Sequence, residues 1–297
     1  MSTRTKVFIG LGTYLALIVL LVAIFGFSRV EDSGFAPQNE FKLDPWFDLP
    51  GPLDFNKAVF FVILAGILMT TTMLWVANRM QARPNRVQTL VEFFFTGMRD
   101  NVTKGNMDSA TAAKWFPFIG ALFLFIWFSN MLGYLPLPTN TEHKFSLFGL
   151  EIPSFAIYAA TANISVPLVL ALVVWIAYNA EGIRRKGLGG YLKGLVPAGV
   201  TGGMAVFIFV LEFFSNIMRL ISLSVRLFAN ILAGHLLIIF MSGALVVLLG
   251  IEAIGIITFP AGVVIFLFEV GLVATLQAFI FATLTAIYLG GAVAEEH

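Results

Sequence analysis

Hydrophobic residues in this chain fall in long blocks rather than in alternation. Residues 7–27 (VFIGLGTYLALIVLLVAIFGF) and 58–78 (AVFFVILAGILMTTTMLWVAN) are two such blocks, and residues near 115–135 and 155–179 make two more. An α-helix crosses a bilayer core with about 20 apolar residues, so each block predicts a span. Two further blocks, 203–242 and 251–291, are nearly twice the necessary length. A 40-residue helix measures about 60 Å, against a hydrocarbon core of about 30 Å. These two must tilt strongly or bend, and a pair of long tilted helices packs as a hairpin. The pattern predicts an all-α polytopic membrane protein with about six transmembrane helices.

Between the second and third blocks the period changes. Val87, Leu90, Val91, Phe94, Met98 and Val102 recur at helical spacing, while Arg86, Glu92, Arg99, Asp100 and Lys104 fill much of the rest. This predicts an amphipathic helix over 84–104, lying on the membrane surface or packed on the ends of the spans. The stretch 28–57 is polar and contains proline. It reads as an external linker, so the chain divides into a helix and linker, 1–57, and a membrane domain, 58–297. The hairpin of the two long helices in that domain is expected at about 203–291. A basic start before an apolar run also suits a signal peptide. The apolar core at 7–27 exceeds the usual length and no clear A-x-A site follows GFSRVEDSG, which favours a retained helix.

Basic residues orient the spans. Arg79, Arg83, Arg86, Arg99, Lys104 and Lys114 lie in one connection, and Arg184, Arg185, Lys186 and Lys193 in another. Both are expected in the cytoplasm. The segments 28–57 and 136–154 are less basic and hold acids such as Glu31, Asp32, Glu40, Asp44 and Asp48. They fit the outside, which puts both termini inside.

Composition narrows the function. The chain is 59% hydrophobic and 12% charged, where a soluble domain averages about 45–50% and about 25%. A net charge of +1 gives no support for nucleic-acid binding. The absence of cysteine excludes disulfides, thiol catalysis and Cys-ligated metals. His143, His235 and His297 are far apart in sequence, so neither a metal nor a cofactor is expected. HExxH, GxSxG and a phosphate-cradling glycine loop are missing, and the chain reads as non-catalytic.

The chemistry sits in the fifth span, LISLSVRLFANILAGH, where Arg226 lies in apolar surroundings. Counted at about 100° per residue from Arg226, Glu212 and Asn230 fall at about +40°, Arg219 at about +20°, Ser215 at about −20° and Ser222 at about −40°. His235 points about 180° away. Glu212, Ser215 and Ser222 lie on the cytoplasmic side of Arg226, and Asn230 and His235 on the outer side. On the sixth span Glu252 is near the outer end, Glu269 is deeper and Gln277 is near the middle. Arginine holds its proton at any ordinary pH, whereas His235, Glu252 and Glu269 can exchange theirs. A fixed charge between two sets of exchangeable groups is what a barrier between two proton relays requires. Two other readings use the same residues: a proton-coupled secondary transporter, and a structural assembly subunit with an internal Arg226–Glu269 pair.

LEFFSNIMRLISLSVRLFANILAGHLL and TLQAFIFATLTAIYL closely resemble subunit a of the F-type ATP synthase. FSNMLGYLP, TANISVPLVLALVVW and the ending AEEH also fit that family, whereas 1–57 matches only loosely. The resemblance implies a bacterial inner-membrane stator subunit that holds two aqueous half-channels beside a rotating ring of c subunits. Subunit b and the rest of the F1Fo complex would be its partners. Arg226 would occupy the place of the family's essential arginine, facing the ring carboxylate. Glu212, Ser215, Ser222, Asn230, His235, Glu252, Glu269 and Gln277 would line the proton pathway. Two departures stand out. Glu269 lies eight residues before Gln277, where the family pattern has seven. A π-bulge would absorb the difference, or Val270 fills the expected place. Some members have an acid where this chain has Gly133, which cannot conduct protons.

Overall fold

The computed structural model describes residues 43, 45–47, 55–81, 84, 86–147, 150–197, 199–241 and 255–294. The expected span 7–27, nearly all of the linker, Glu252 and His297 lie outside the described residues. Among those described, one compact unit takes 43–232 with 272–294, and a second takes 233–271.

The larger unit begins with a short antiparallel pair, β1 (Pro45–Phe47) and β2 (Phe55–Asn56). The Asn56 side chain then starts α1 (Lys57–Arg79), its Oδ1 accepting from Val59 N at 3.1 Å. Such a cap satisfies one of the backbone donors that a helix start leaves open. Helix α2 (Arg86–Thr96) runs into a π-helical segment, Gly97–Thr103. Asp108 caps α3 (Ser109–Leu132) by accepting from Thr111 N at 3.0 Å.

An antiparallel hairpin follows, β3 (Leu137–Leu147) with β4 (Leu150–Ala156), Leu147 opposite Leu150. After a 3₁₀ turn at Ala160–Ala162 comes α4 (Ser165–Lys193). The expected span 155–179 is therefore displaced: its first residues belong to the hairpin and the turn. Pro167 explains the late start, since proline fits the first helical turn and breaks an interior. Helix α4 kinks at Gly187, where φ is 71°. Helix α5 (Gly203–Ile239) has 37 residues. The last apolar block forms α6 (Gly255–Phe268), a π-helical turn at Glu269–Val273, and α7 (Ala274–Val293).

Five helices among the described residues are long and apolar enough to cross a membrane: Lys57–Arg79, Ser109–Leu132, Ser165–Lys193, Gly203–Ile239 and Thr258–Val293. Two small-residue contacts organise the larger unit. Ala58, Phe61 and Ala65 of α1 pack with Leu132 of α3 and with Tyr158, whose ring lies 5.8 Å from that of Phe61. Helix α7 buries Ala274, Ala278, Ala282, Ala286 and Gly290, one per turn, and packs against α3 and α4. Small side chains let membrane helices approach closely, which is where dispersion contacts are gained when lipid is as apolar as leucine.

Helix α2 packs on α3 through Phe94 on Phe123 and Phe95 on Phe116. Met98 and Val102 are buried as the pattern predicts, and Phe93 is the most exposed aromatic of the helix, at 72%.

A charged cluster ties the starts and ends of α3 and α4 together. Lys114 Nζ lies 2.6 Å from the buried Glu181, and Arg185 lies 3.6 Å from Glu181 and 3.8 Å from Asp108. Arg185 also donates to the Thr111 hydroxyl. Lys114→Met removes the shortest ion pair of Glu181 and leaves it the longer Arg185 contact. The expected loss is about 1–3 kcal/mol, less than for a fully buried pair, because Lys114 is 44% exposed. Thermal unfolding in detergent measures it, and Lys114→Arg should restore most of the loss.

Candidate functional site

The polar stripe of α5 has two parts. In its first half, Arg219 lies 3.9 Å from Glu212, two turns earlier, and its guanidinium sits 5.6 Å from the centre of the Tyr288 ring of α7. Further on, Ser222, Arg226 and Asn230 are all exposed. They recur every four residues, which keeps them on one face. Beside them runs an apolar exposed row: Phe214, Met218, Ile221 and Val225. The opposite side of α5 is its packed one, with Asn216, Leu223, Leu227 and Ile231 buried. Arg226 therefore sits on the outward side of a membrane-spanning helix. Within the larger unit, no carboxylate among the described residues pairs with it.

Ser215 is half-buried on the same stripe, and Gln277 is buried on α7. In the smaller unit His235 and Glu269 are both buried. The Glu269 carboxylate rests on the backbone of Gly234. A Cβ placed at Gly234 would lie 2.8 Å from Oε1, nearer than Cβ atoms are found to any neighbour in practice, so the carboxylate at the end of its flexible side chain would have to shift. Only glycine leaves the carboxylate its seat. Glu269 also opens the π-helical turn, Glu269–Val273. A π turn holds one more residue than an α turn. The turn lies between Glu269 and Gln277, where the resemblance leads one to expect a spacing of seven residues and the chain has eight.

The expectation that Gly133 carries no proton now has a steric reason. A Cβ there would lie 2.8 Å from Ala159 Cα, so no side chain fits. Gly133→Asp is expected to lower assembly of the protein into membranes by severalfold, readable by immunoblot, whereas Gly133→Ala should do so less.

Two polar clusters escaped the sequence reading. Tyr178 donates to Asn216 Oδ1 at 2.5 Å, and Asn216 Nδ2 donates to Asn179 Oδ1 at 2.9 Å. Tyr191, beyond the kink, donates to the same Asn179 oxygen at 2.7 Å. This joins α4 to α5. The other cluster surrounds Asn130. Its Nδ2 donates to Ala274 O at 3.2 Å, and its Oδ1 accepts from Thr161 at 2.7 Å. The signal available was the presence of Asn in apolar helices, where such groups find partners on neighbouring helices.

The family model described as ATP synthase A chain matches residues 59–290, from the first turn of α1 almost to the end of α7. The chain belongs to the ATP synthase A chain family. It is similar to ATP synthase subunit a of Nocardioides sp., with 32% identity over 252 residues, covering 82% of this chain and 84% of that one. It is 32% identical to the Maricaulis maris subunit a, over 82% of this chain and 91% of the relative. The Helicobacter pylori subunit a is 35% identical over 237 residues, covering 80% and 89%. A family member with these helices is a multi-pass membrane protein. The family match takes in every described residue of the polar stripe together with Glu269 and Gln277.

Proposed function

We propose that this chain is the stator subunit of a bacterial F1Fo ATP synthase that carries protons to and from the c-ring. Arg226 keeps the two half-channels apart. The observation that carries the reading is Arg226 itself, a permanent cation on the exposed face of α5, between Ser222 and Asn230 and beside an apolar row. A charge in that place calls for a partner within the membrane, and the ring carboxylate is a partner on another chain.

Arginine attracts that carboxylate and lowers its proton affinity without giving up a proton of its own. The carboxylate passing Arg226 is thereby discharged, and no proton crosses directly from one half-channel to the other. Glu212, Ser215 and Ser222 serve the cytoplasmic half-channel. Asn230, His235, Glu252, Glu269 and Gln277 serve the outer one. Gly133 offers no carboxyl, so the outer path depends on His235, Glu252 and Glu269. In this reading the chain binds subunit b as well as the ring, lies in the bacterial inner membrane with both termini in the cytoplasm, and contributes no catalytic site for ATP. ATP-driven acidification of inverted membrane vesicles tests it: wild type should pump, and an assembled complex carrying Arg226→Ala should not.

A further inference from the structure

The π-helical turn at Glu269–Val273 is an extra residue lodged in the last span. Nothing in a π turn's own backbone fixes its address. By exchanging i→i+5 for i→i+4 hydrogen bonds one residue at a time, it can travel along a helix, and each residue it passes rotates by about 100°. Something must therefore hold it where it is.

On its far side the turn meets two side chains of α3. Asn130 Nδ2 donates to the carbonyl of Ala274, and Trp127 Nε1 donates to the Thr275 hydroxyl at 3.1 Å. Trp127 and Asn130 are three residues apart and share one face of α3. Asn130 is fully buried, and so is Thr161, which donates to its remaining oxygen. Asn130 is thus fixed at both ends of its amide. Ala274 is fully buried too. Moving the turn past Val273 would rotate Ala274 and Thr275, breaking both hydrogen bonds and turning the buried methyl out. On its near side the turn begins at Glu269, whose carboxylate is seated on Gly234.

We infer that Trp127 and Asn130, the latter backed by Thr161, are positioning residues that stop the π turn at Val273 and so keep Glu269 in register. The inference rests on reading Glu269 as part of the proton path. Asn130 acts through the helix it holds and is not itself a carrier.

The test is a rescue by deletion, made on inverted vesicles with the complete complex. Deleting Val270 removes the extra residue and gives Glu269 and Gln277 the seven-residue spacing. Without an extra residue there is no turn to stop. In the full-length chain, Asn130→Leu with Thr275→Val should lower ATP-driven pumping about ten- to a hundredfold, the scale of a misplaced reacting group. The Val270 deletion alone should pump like wild type, and adding the same two substitutions to it should change pumping by less than about twofold. Equal losses in both backgrounds overturn the inference, because the side chains would then serve packing alone. So does an unimpaired full-length double variant, or a loss of pumping in an assembled deletion. Should the Val270 deletion fail to assemble, deletion of the exposed Gly271 replaces it; failure of both overturns the inference, since the turn would then be needed for folding. Arg226→Ala is measured alongside. Pumping that survives there overturns the proton-path reading, a result separate from any of these.

Discussion

Arg226→Ala is expected to abolish ATP-driven proton pumping while the complex assembles and its ATPase activity persists. Arg226→Lys should do the same, and this is the stronger test. Lysine retains a charge, but it can give up its proton where arginine cannot. It would also present a compact ammonium where the guanidinium offers a planar fork to a carboxylate. One charge crossing 100 mV is worth about 2.3 kcal/mol, so synthesis uses several protons per ATP and tolerates little leakage. Ser222 and Asn230, one turn to either side of Arg226, supply no charge to replace it. Acidification by vesicles carrying either variant, with ATPase activity and assembly measured in the same preparation, decides the matter. Pumping in either variant means that Arg226 is structural.

The second large effect is expected at Gly234. Gly234→Ala puts a methyl where the Glu269 carboxylate now lies, at 2.8 Å from Oε1. The carboxylate must move, and a shift of about 1 Å in a reacting group can cost about a hundredfold in rate. Pumping should fall at least tenfold on that scale, and Gly234→Val should remove nearly all of it. The measurement that separates this from simple misfolding is a control at Gly271. That residue is exposed, with nothing within 4 Å of an added Cβ. Gly271→Ala should assemble and pump normally. Equal pumping by Gly234→Ala and wild type would mean that Glu269 does not work from its place on Gly234.

The spans were legible because twenty apolar residues are a strong signal that depends on nothing distant. Their ends were less so. Asp108 starts α3 six residues before the expected 115, because a capping carboxylate decides a helix start and hydropathy does not register it. The hairpin at Leu137–Ala156 went unread. It holds Pro138 and Pro153 and two shifts of register, which spoil the two-residue alternation that marks a strand. The polar stripe could be placed from a helical wheel, since one helix positions all of it. The place of Asn130 could not be, since Ala274 is 144 residues away in sequence. The π turn falls between these cases. The surplus residue between Glu269 and Gln277 could be counted, but the address at which the helix lodges it depends on neighbours that no count identifies.

The alanine stripe of α7 has a consequence for how this sequence can vary. Ala274, Ala278, Ala282, Ala286 and Gly290 are bounded in size from outside, whereas Leu272, Leu276, Phe279 and Ile287 face away from the packed side. In a saturation library of this span, tolerated substitutions should trace a comb. The four alanine positions would refuse anything larger than alanine and Gly290 would refuse even that, while the exposed positions Leu272, Leu276, Phe279 and Ile287 would accept most apolar side chains.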